Sequence, residues 1–406
     1  MASAAGSKGG RGAPWRICAI TTTRADFGVW TPALDALAAA PGVALGLIAT
    51  GSHLRADLGG TIAEVEASGH PIWARPHILL ADDGPAGAVK AMALTQLAMA
   101  DLLAGDAPGL GGRPDLLMAL GDRFETFAAV AAAQPFRIPV LHLHGGEETE
   151  GAIDNAFRHA ITKLSHLHCV ATETAARRVR AMGEDPARVV VTGAPGLDRL
   201  LAAPDIPPEA LARRFGLPPP PYLLITYHPE TLSPAAVERD FAAVLEGALA
   251  AAEAGGLALV FTAANADPGG AAVNRMIRAA VAADPARRAL VASFGEAYAA
   301  AARGAAAMLG NSSSGVIEAA TLGVPAVNVG DRQKGRERSA NTLDVPHDAA
   351  AIAAALARAC APDFRAAAAA AGNVYGDGRA GPRIRDAALA FLAAGPSTRK
   401  AFHLAG

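Results

Sequence analysis

The chain has 406 residues, of which 51% are hydrophobic and 18% charged. Lysine and arginine (36) nearly balance aspartate and glutamate (38), and the formal net charge of −2 argues against a nucleic-acid binder, which would carry a basic excess or stripe. A chain of this length is expected to form two or three domains, each large enough to bury its own core.

The first residues and the most apolar stretches indicate whether the protein is secreted or inserted in a membrane. Residues 1–14 are small, polar and basic and contain no apolar segment, so a disordered tail is predicted rather than a signal peptide. The apolar stretches at 88–104 and 242–263 contain charged residues, so no membrane span is predicted. The three cysteines lie far apart and form no CxxC pair, which favours inert thiols in a reducing cytoplasm.

Short apolar runs alternate along the chain with longer alanine-rich helical patterns. Most runs are continuous rather than alternating, as expected for parallel strands covered on both faces. The predicted strands are 16–20, 43–49, 116–120, 140–144, 168–171, 189–192, 222–226, 258–262, 289–292, 307–309 and 326–329. The predicted helices include 30–39, 61–67, 86–104, 123–133, 172–182, 235–254, 270–282 and 315–320. Repeated βα units predict a doubly wound α/β fold.

Proline clusters near the middle of the chain predict a linker. The boundary is placed near residue 200, between an N-terminal Rossmann-like domain (15–200) and a C-terminal one (201–380). A final segment (381–406) is expected to hold a helix that packs back on the first domain. Two such domains are expected to face a cleft, and ligands of open α/β sheets bind beyond the carboxyl ends of the strands.

Two loops in the first half carry polar residues at the start of a helix. In the loop after the first strand, hydroxyls, backbone N–H groups and Arg24 beside a helix N-terminus suit an anionic ligand, or else Asp26 caps the helix and Arg24 pairs with it. Asp122, in the loop at 121–125, either caps the helix that begins near Arg123 or points into the cleft as a carboxylate base.

The segment from His142 to Asp154 is the richest in chemistry. His142 and His144 alternate at a strand end and should point to one face, and the glycines at 145–146 should let the backbone approach a ligand. Carboxylates follow, among them Glu147 and Asp154, and mutual repulsion would raise their pKa values into the range for acid–base work. The alternative is a solvated acidic loop.

Two loops of the second half also carry candidate ligand-binding residues. His228 precedes a proline that holds it extended at a strand end, although a lone histidine is more often structural. The serines at 312–314 open a helix and suit an anion, with Glu318 one turn further on for ribose hydroxyls, or else they form a plain N-cap. Arg332 and Arg336 would add phosphate contacts.

Cofactor motifs are missing from the sequence. No Walker A pattern is present, and the glycines at 109–112 lack the preceding strand and the spacing of a dinucleotide fingerprint. Neither NAD nor P-loop chemistry is therefore expected. A zinc site at the His-x-His motif formed by His142 and His144 stays open as an alternative.

Seven motifs in register resemble one enzyme family. The chain from about residue 16 to about residue 340 is similar to the hydrolysing UDP-N-acetylglucosamine 2-epimerases of sialic acid biosynthesis, whose close relatives act on a 2,4-diacetamido sugar in legionaminic acid pathways. The resemblance rests on TTTRADFG, LGDRFET, HLHGGEETEGAIDNAFRHAITKLSH, GAPGLD, TYHPET, GNSSSGVIEA and GDRQKGR. It implies a two-domain glycosyltransferase-B fold, a UDP-sugar substrate, no cofactor, no metal, and a homodimer or homotetramer.

The resemblance also implies a reaction. UDP leaves C1 as the C2 proton is removed in an anti elimination, and water then adds to the glycal to release the free manno sugar. The implied catalytic residues are Asp122, Asp154 and His228, with either Glu147 or His144 as a further acid. The implied substrate- and nucleotide-binding residues are Arg24, Asp26, His53, Arg123, Asn311, Ser312, Ser313, Ser314, Gly315, Glu318, Arg332 and Arg336.

Three alternatives remain at this point. A non-hydrolysing epimerase would share the elimination step but release UDP-ManNAc. A metal-dependent hydrolase would use the His-x-His pair. A nucleotide-sugar sensor on the same scaffold would lack turnover, which the retained Asp122, Asp154 and His228 disfavour.

Overall fold

The computed structural model describes residues 13–58, 60–82, 84–105, 111–148, 154–230, 236–264, 269–395 and 397–404. The predicted tail at 1–14 lies outside the described residues except for its last two positions. The described chain forms two compact units. The first unit comprises the described chain up to Glu147, the segment from Asp154 to Arg199, and the segment from Gly378 onward. The second unit comprises Leu200–Asp377 and Glu148.

The first unit is built on a seven-stranded sheet. Its strands are β1 (Trp15–Thr21), β2 (Val43–Ala49), β3 (Ile72–Ala74), β4 (Leu116–Leu120), β5 (Val140–Leu143), β6 (Leu167–Val170) and β7 (Val189–Val191). Their order is β3-β2-β1-β4-β5-β6-β7, and every neighbouring pair is parallel. The loops after β1, β4 and β5 therefore leave the same edge of the sheet side by side.

The second unit has a six-stranded sheet of the same kind. Its strands are β8 (Tyr222–Thr226), β9 (Ala258–Thr262), β10 (Arg288–Val291), β11 (Ala305–Gly310), β12 (Ala326–Val329) and β13 (Thr342–Val345). The order β10-β9-β8-β11-β12-β13 is again parallel throughout. Two parallel sheets with crossover helices confirm the predicted α/β class.

Helices occupy the crossovers and the end of the described chain. They are α1 (Arg24–Ala38), α2 (Ile62–Ala67), α3 (Pro85–Ala104), α4 (Phe124–Ala133), α5 (Asp154–Leu164), α6 (Glu173–Ala181), α7 (Gly196–Ala202), α8 (Pro208–Phe215), α9 (Val237–Gly255), α10 (Gly270–Ala283), α11 (Tyr298–Arg303), α12 (Ser313–Ile317), α13 (Ala349–Cys360), α14 (Pro362–Ala370) and α15 (Ala380–Ala393). In the first unit the backbone N–H groups of Ala380 and Gly381 donate to the Asp198 carboxylate at 2.9 and 2.7 Å, which fixes the start of α15.

Apolar side chains cover both faces of each sheet. In the first unit, Trp30, Leu47 and Ile384 belong to the layer on one face, where α1 and α15 pack. Ile48 and Met99 belong to the layer on the other face. Burial on both faces explains why the strands read as continuous apolar runs in the sequence.

Helix α3 is the described helix that meets the length and composition of a membrane span. Its most apolar window has a mean hydropathy of 1.2, and 33% of that window is buried in the protein. Core helices of α/β proteins pass the same test, and α3 buries Ala91, Met99 and Leu103 against the sheet and α4.

Candidate active site

A buried arginine is the centre of a charged cluster in the first unit. Arg158, on α5, is 4% exposed and donates to the Asp122 carboxylate. Its other terminal nitrogen lies 3.7 Å from Glu147 Oε2 and 3.5 Å from the His144 carbonyl oxygen. One guanidinium thus neutralises two carboxylates that come from different loops.

Asp122 does not cap the helix that follows it. The N-cap position of α4 is Arg123, and no side chain bonds to the free N–H groups there. The capping alternative for Asp122 is therefore wrong, because its carboxylate is turned toward Arg158 instead.

Arg123 forms a two-point pair with the buried Glu125 at 3.1 and 2.7 Å. Burial acts against the charge of Arg123, but the carboxylate of Glu125 outweighs it, and the pKa of Arg123 is raised.

His144 and Glu147 form one hydrogen-bonded pair. His144 Nδ1 lies 2.5 Å from Glu147 Oε1, and the carboxylate accepts from this ring nitrogen. Among the described residues, the buried Nε2 atom of His144 has no hydrogen-bond partner. The sequence left Glu147 and His144 as alternatives, and the structure joins them as a carboxylate–imidazole couple, which is suited to moving a proton through Nε2.

The backbone turns sharply between the two histidines of the His-x-His motif. Strand β5 ends at Leu143, and His144 has a left-handed φ of +61°. His144 therefore does not continue the alternation of the strand, and the prediction that both histidines share one face is wrong. His142 is wholly buried, and both of its ring nitrogens have protein partners, Gly121 and Thr162.

These partners also bear on the zinc alternative. A metal would have to displace the hydrogen bonds of His142, and within the described part of the chain no group of three or more His, Cys, Asp or Glu side chains is placed to hold an ion. The arrangement around His142 and His144 does not fit a zinc site.

The two glycines after His144 serve packing. A side chain at position 146 would place its Cβ 2.4 Å from the Ala175 carbonyl oxygen of α6, and Gly146 has a φ of +76°. At position 145 a Cβ would lie 2.9 Å from His142 Nδ1. The expectation that these glycines admit a ligand is therefore corrected, because the space is taken by protein atoms.

Asp154 is the first residue of α5 and shares a helix face with Arg158, four residues later. Loss of hydration raises the pKa of Asp154, and the Asp122 carboxylate raises it further. Asp154 is thus suited to carry a proton at a pH where an ordinary aspartate has lost it.

The substitution Asp154→Asn is expected to raise the melting temperature at neutral pH. A folded-state pKa above the unfolded value stabilises the protein at low pH, and this stabilisation is lost as pH rises through the folded-state pKa. Asparagine does not ionise, so the folded protein no longer loses stability when residue 154 becomes charged. The increase in melting temperature should therefore vanish below the ordinary aspartate pKa of 3.8, where both side chains are neutral. Thermal unfolding across pH measures the effect.

Asp363 provides a control of opposite sign. A hydrogen bond from Arg358 lowers the pKa of this exposed carboxylate, so its contribution to stability is present above the unfolded pKa and is lost as pH falls. Asp363→Asn should therefore give no increase in melting temperature at neutral pH. A melting temperature for Asp154→Asn below that of the unsubstituted protein at neutral pH contradicts the raised pKa.

The loop after β1 satisfies its own polar groups. The Asp26 carboxylate accepts from the backbone N–H groups of Thr22 and Thr23, each at 2.9 Å, and from the hydroxyls of Thr21 and Thr22. Thr23 is the N-cap of α1, and Asp26 completes a capping box with it. Arg24 pairs with Glu64 at 3.1 Å rather than with Asp26, and its side chain is 65% exposed.

His53 supports the same loop. Its ring is fully buried, with Nε2 3.0 Å from the Thr21 hydroxyl and Nδ1 2.8 Å from the Thr61 hydroxyl. The polar atoms of Asp26 and His53 are engaged inside the loop, and contact of these residues with substrate stays a prediction. Arg24, in contrast, is placed where solvent can reach it.

In the second unit, Asn311 holds the loop that carries His228. The Asn311 side chain accepts from the His228 N–H at 2.8 Å and donates to the His228 carbonyl at 2.7 Å. Arg332 and Gln333 donate to the Asn311 carbonyl at 3.2 and 2.8 Å. Asn311 is fully buried and positions His228, and its contact with the nucleotide stays a prediction.

The serine turn lies at the carboxyl end of β11. Ser312 is the N-cap of α12, and its hydroxyl oxygen accepts from the Ser314 N–H and hydroxyl, so the capping alternative describes Ser312. Ser313, Ser314 and Gly315 form the first turn of α12. Gly310 is required just before the turn, because a Cβ there would lie 2.0 Å from the Thr226 carbonyl oxygen at the end of β8.

Three more predicted residues surround this turn. Glu318 ends α12 and lies near the buried Tyr298 hydroxyl, whose pKa is raised by loss of hydration and by the Glu318 charge. Arg336 is half-buried and donates to the Gln333 side chain at 2.8 Å. Arg332 is directed toward the serine turn by its bond to the Asn311 carbonyl.

Arg158 is the residue that the sequence-based site omitted. It lies 36 positions from Asp122, and no local pattern predicts their contact. One signal was present, since the spacing of Asp154 and Arg158 puts a carboxylate and a guanidinium on one helix face.

Comparisons with known proteins identify relatives of this chain. A family model described as UDP-N-acetylglucosamine 2-epimerase matches residues 35–389. The UDP-N,N'-diacetylbacillosamine 2-epimerase (hydrolyzing) of Legionella pneumophila is 34% identical over 370 residues, 91% of this chain and 94% of that protein. The GDP/UDP-N,N'-diacetylbacillosamine 2-epimerase (hydrolyzing) of Campylobacter jejuni is 33% identical, over 81% of this chain and 84% of that protein.

Solved structures share the fold. The UDP-GlcNAc 2-epimerase of Neisseria meningitidis bound to UDP-GlcNAc has a TM-score of 0.77 at 17% identity, over 92% of this chain and 100% of that one. A Listeria monocytogenes structure of similar description has a TM-score of 0.74 at 18% identity, over 97% and 100%. The likeness and the two parallel sheets confirm the expected glycosyltransferase-B type of fold.

Proposed function

The chain belongs to the UDP-N-acetylglucosamine 2-epimerase family, and on that premise we propose that it is a hydrolysing member, which converts a UDP-linked 2-acetamido sugar into UDP and the free manno-configured sugar. The observation that carries the proposal is the cluster in which Arg158 joins Asp122 to Glu147 and Glu147 bonds to His144. An elimination and a hydration each need a proton acceptor and a proton donor, and this cluster holds candidates for both.

In this proposal, different residues of the cluster carry out the elimination and the hydration. Asp122, paired with Arg158, takes the C2 proton while the C1–O bond breaks and its electron pair leaves with UDP. Water then adds to the resulting glycal: its oxygen bonds to C1, its proton passes to the His144–Glu147 couple, and Asp154 returns a proton to C2. The raised pKa of Asp154 suits that last donation.

The second unit supplies the groups for the nucleotide in this proposal. His228, held in place by Asn311, assists at the leaving diphosphate, and the N–H group and hydroxyl of Ser313 bind phosphate oxygens. Ser312 and Ser314 support this turn through their mutual hydrogen bonds. Arg332 adds positive charge beside them, and Glu318 accepts from ribose hydroxyls. Arg24, Arg123 and Arg336 remain predicted contacts of the sugar nucleotide.

The hydrolysing branch and the sugar are supported by relatives. Two curated proteins that are about a third identical over most of the chain are named as hydrolysing diacetylbacillosamine 2-epimerases. We therefore favour UDP-2,4-diacetamido sugar over UDP-GlcNAc as substrate. A dimer or tetramer and a cytoplasmic location stay predictions of the family resemblance.

The test is incubation with each UDP-sugar in deuterium oxide, with products identified by NMR. We expect free manno-configured sugar carrying deuterium at C2, formed faster from the 4-acetamido-6-deoxy substrate than from UDP-GlcNAc. Faster turnover of UDP-GlcNAc would reverse the choice of sugar, and UDP-ManNAc as product would indicate the non-hydrolysing reaction. Product without deuterium at C2 would refute the elimination.

A further inference from the structure

A buried histidine that the proposed mechanism leaves unused lies behind the carboxylate cluster. His142 is 0% exposed and lies in β5, two residues before His144. Its Nε2 is 2.8 Å from the Gly121 carbonyl oxygen, and its Nδ1 is 3.2 Å from the Thr162 hydroxyl. A histidine with partners on both ring nitrogens has a defined orientation and a defined tautomer.

The partners determine that tautomer. A carbonyl oxygen only accepts, so Nε2 carries the hydrogen and donates to Gly121. Nδ1 then carries no hydrogen in the neutral ring, and the single hydrogen of the Thr162 hydroxyl can be donated either to Nδ1 or to the Arg158 carbonyl oxygen. Burial lowers the pKa of His142 to about 3, against the opposing effect of the bond to Gly121. The direction of this shift favours the neutral ring, and the two hydrogen-bond contacts of the ring fit that form.

The contacts of this ring reach three segments of the site. Gly121 immediately precedes Asp122, and Thr162 lies one turn after Arg158 on α5, with its hydroxyl 3.0 Å from the Arg158 carbonyl oxygen. The third segment is the turn at Gly145, which lies so close to the ring that a Cβ added there would come within 2.9 Å of Nδ1. The segments that carry Asp122, Arg158 and Glu147 are thus packed around one imidazole.

We propose that His142 is a positioning residue for the reaction: its neutral ring fixes the Gly121–Asp122 loop against α5 and so aligns the Asp122 carboxylate with Arg158. The inference rests on the proposed function. It assigns to the first histidine of the His-x-His motif a role that differs from both metal binding and proton transfer.

A second buried histidine is a matched control. His168 is the register partner of His142 on the neighbouring strand β6 and is 1% exposed. Its Nε2 lies 3.0 Å from Glu184 rather than from a loop of the site. Truncation of either ring removes a buried hydrogen-bonding histidine from the same sheet, but truncation of His142 alone releases the Asp122 loop.

The experiment compares His142→Leu, His142→Gln and His168→Leu. We expect His142→Leu to lower kcat by about 10- to 100-fold with KM within about threefold, because a displacement near 1 Å is enough for such a loss. His142→Gln can still donate to the Gly121 carbonyl and should keep kcat within about fivefold. His168→Leu should lower the melting temperature and leave kcat within about threefold.

A readout without substrate separates this inference from the proposed function. Amide hydrogen exchange at residues 121–123 should speed up in His142→Leu and stay unchanged in His168→Leu. If the unsubstituted enzyme shows no turnover, the proposed function fails while hydrogen exchange still tests the positioning. Equal losses of kcat in the two leucine variants, or unchanged exchange at 121–123 in folded His142→Leu, would overturn the inference. If His142→Leu does not fold, a loss of kcat well beyond fivefold in folded His142→Gln would overturn it.

Discussion

Asp122→Asn is expected to lower kcat by about 10²- to 10⁴-fold, the range for loss of a general base. Asparagine keeps the size of the side chain and one oxygen that can accept from Arg158, so the loop should hold its place. What disappears is the carboxylate that takes the C2 proton. Steady-state kinetics on the favoured UDP-sugar measure the loss.

Two controls show whether the loss of kcat in Asp122→Asn comes from the proton-transfer step. UDP binding by calorimetry should be unchanged, because the groups proposed for the nucleotide lie in the second unit. Asp57→Asn removes another arginine-paired carboxylate of the first unit, the exposed partner of Arg55, and should leave kcat unchanged. Activity of Asp122→Asn within about threefold of the unsubstituted enzyme would rule out Asp122 as the base.

Arg158→Met is expected to lower both activity and stability. Methionine fills a similar volume, but it leaves the carboxylates of Asp122 and Glu147 without the cation that neutralises them. Removal of one partner from a buried ion pair costs about 3–5 kcal/mol, and we expect the lower end because the Asp122 side chain is 25% exposed. We expect kcat to fall by about 10²- to 10³-fold, since an oriented charge is lost from the site.

The stability loss is measured by urea unfolding and compared with a surface pair. Arg275→Met breaks the exposed pair of Arg275 with Glu238 and should cost no more than about 1 kcal/mol. Arg158→Lys keeps a charge that can pair with one carboxylate at a time, and its loss of stability should fall between those of the two methionine variants. If Arg158→Met unfolds no more easily than Arg275→Met, the buried arginine does not hold the cluster together.

The strands buried on both faces were predictable from the sequence. The predictions for β2, β4, β8, β9 and β12 match the structure residue for residue, because a central parallel strand reads as a continuous apolar run. Strands β3 and β13, at the edges of their sheets, were missed. Both are short and only partly buried, so their sequences show no such run.

Several predicted site residues have internal partners that the sequence does not indicate. Asp26, His53 and Asn311 are predicted at the substrate, and in the structure each bonds to nearby backbone or hydroxyl groups. Polar residues in a loop at a strand end read the same in sequence whether they face a ligand or hold the loop. Only their partners distinguish the two cases.

The sequence by itself determined the α/β class, the family and the loops that carry chemistry, because these follow from apolar runs and from the order of local motifs. The tertiary structure decided how those residues act together. Arg158 meets Asp122 across 36 positions, and His142 reaches Gly121 across 21, only because α5, β4 and β5 are neighbours in the fold. Hydrogen bonds and ion pairs operate over a few ångströms, so the chemistry of this site depends on contacts that local sequence does not encode.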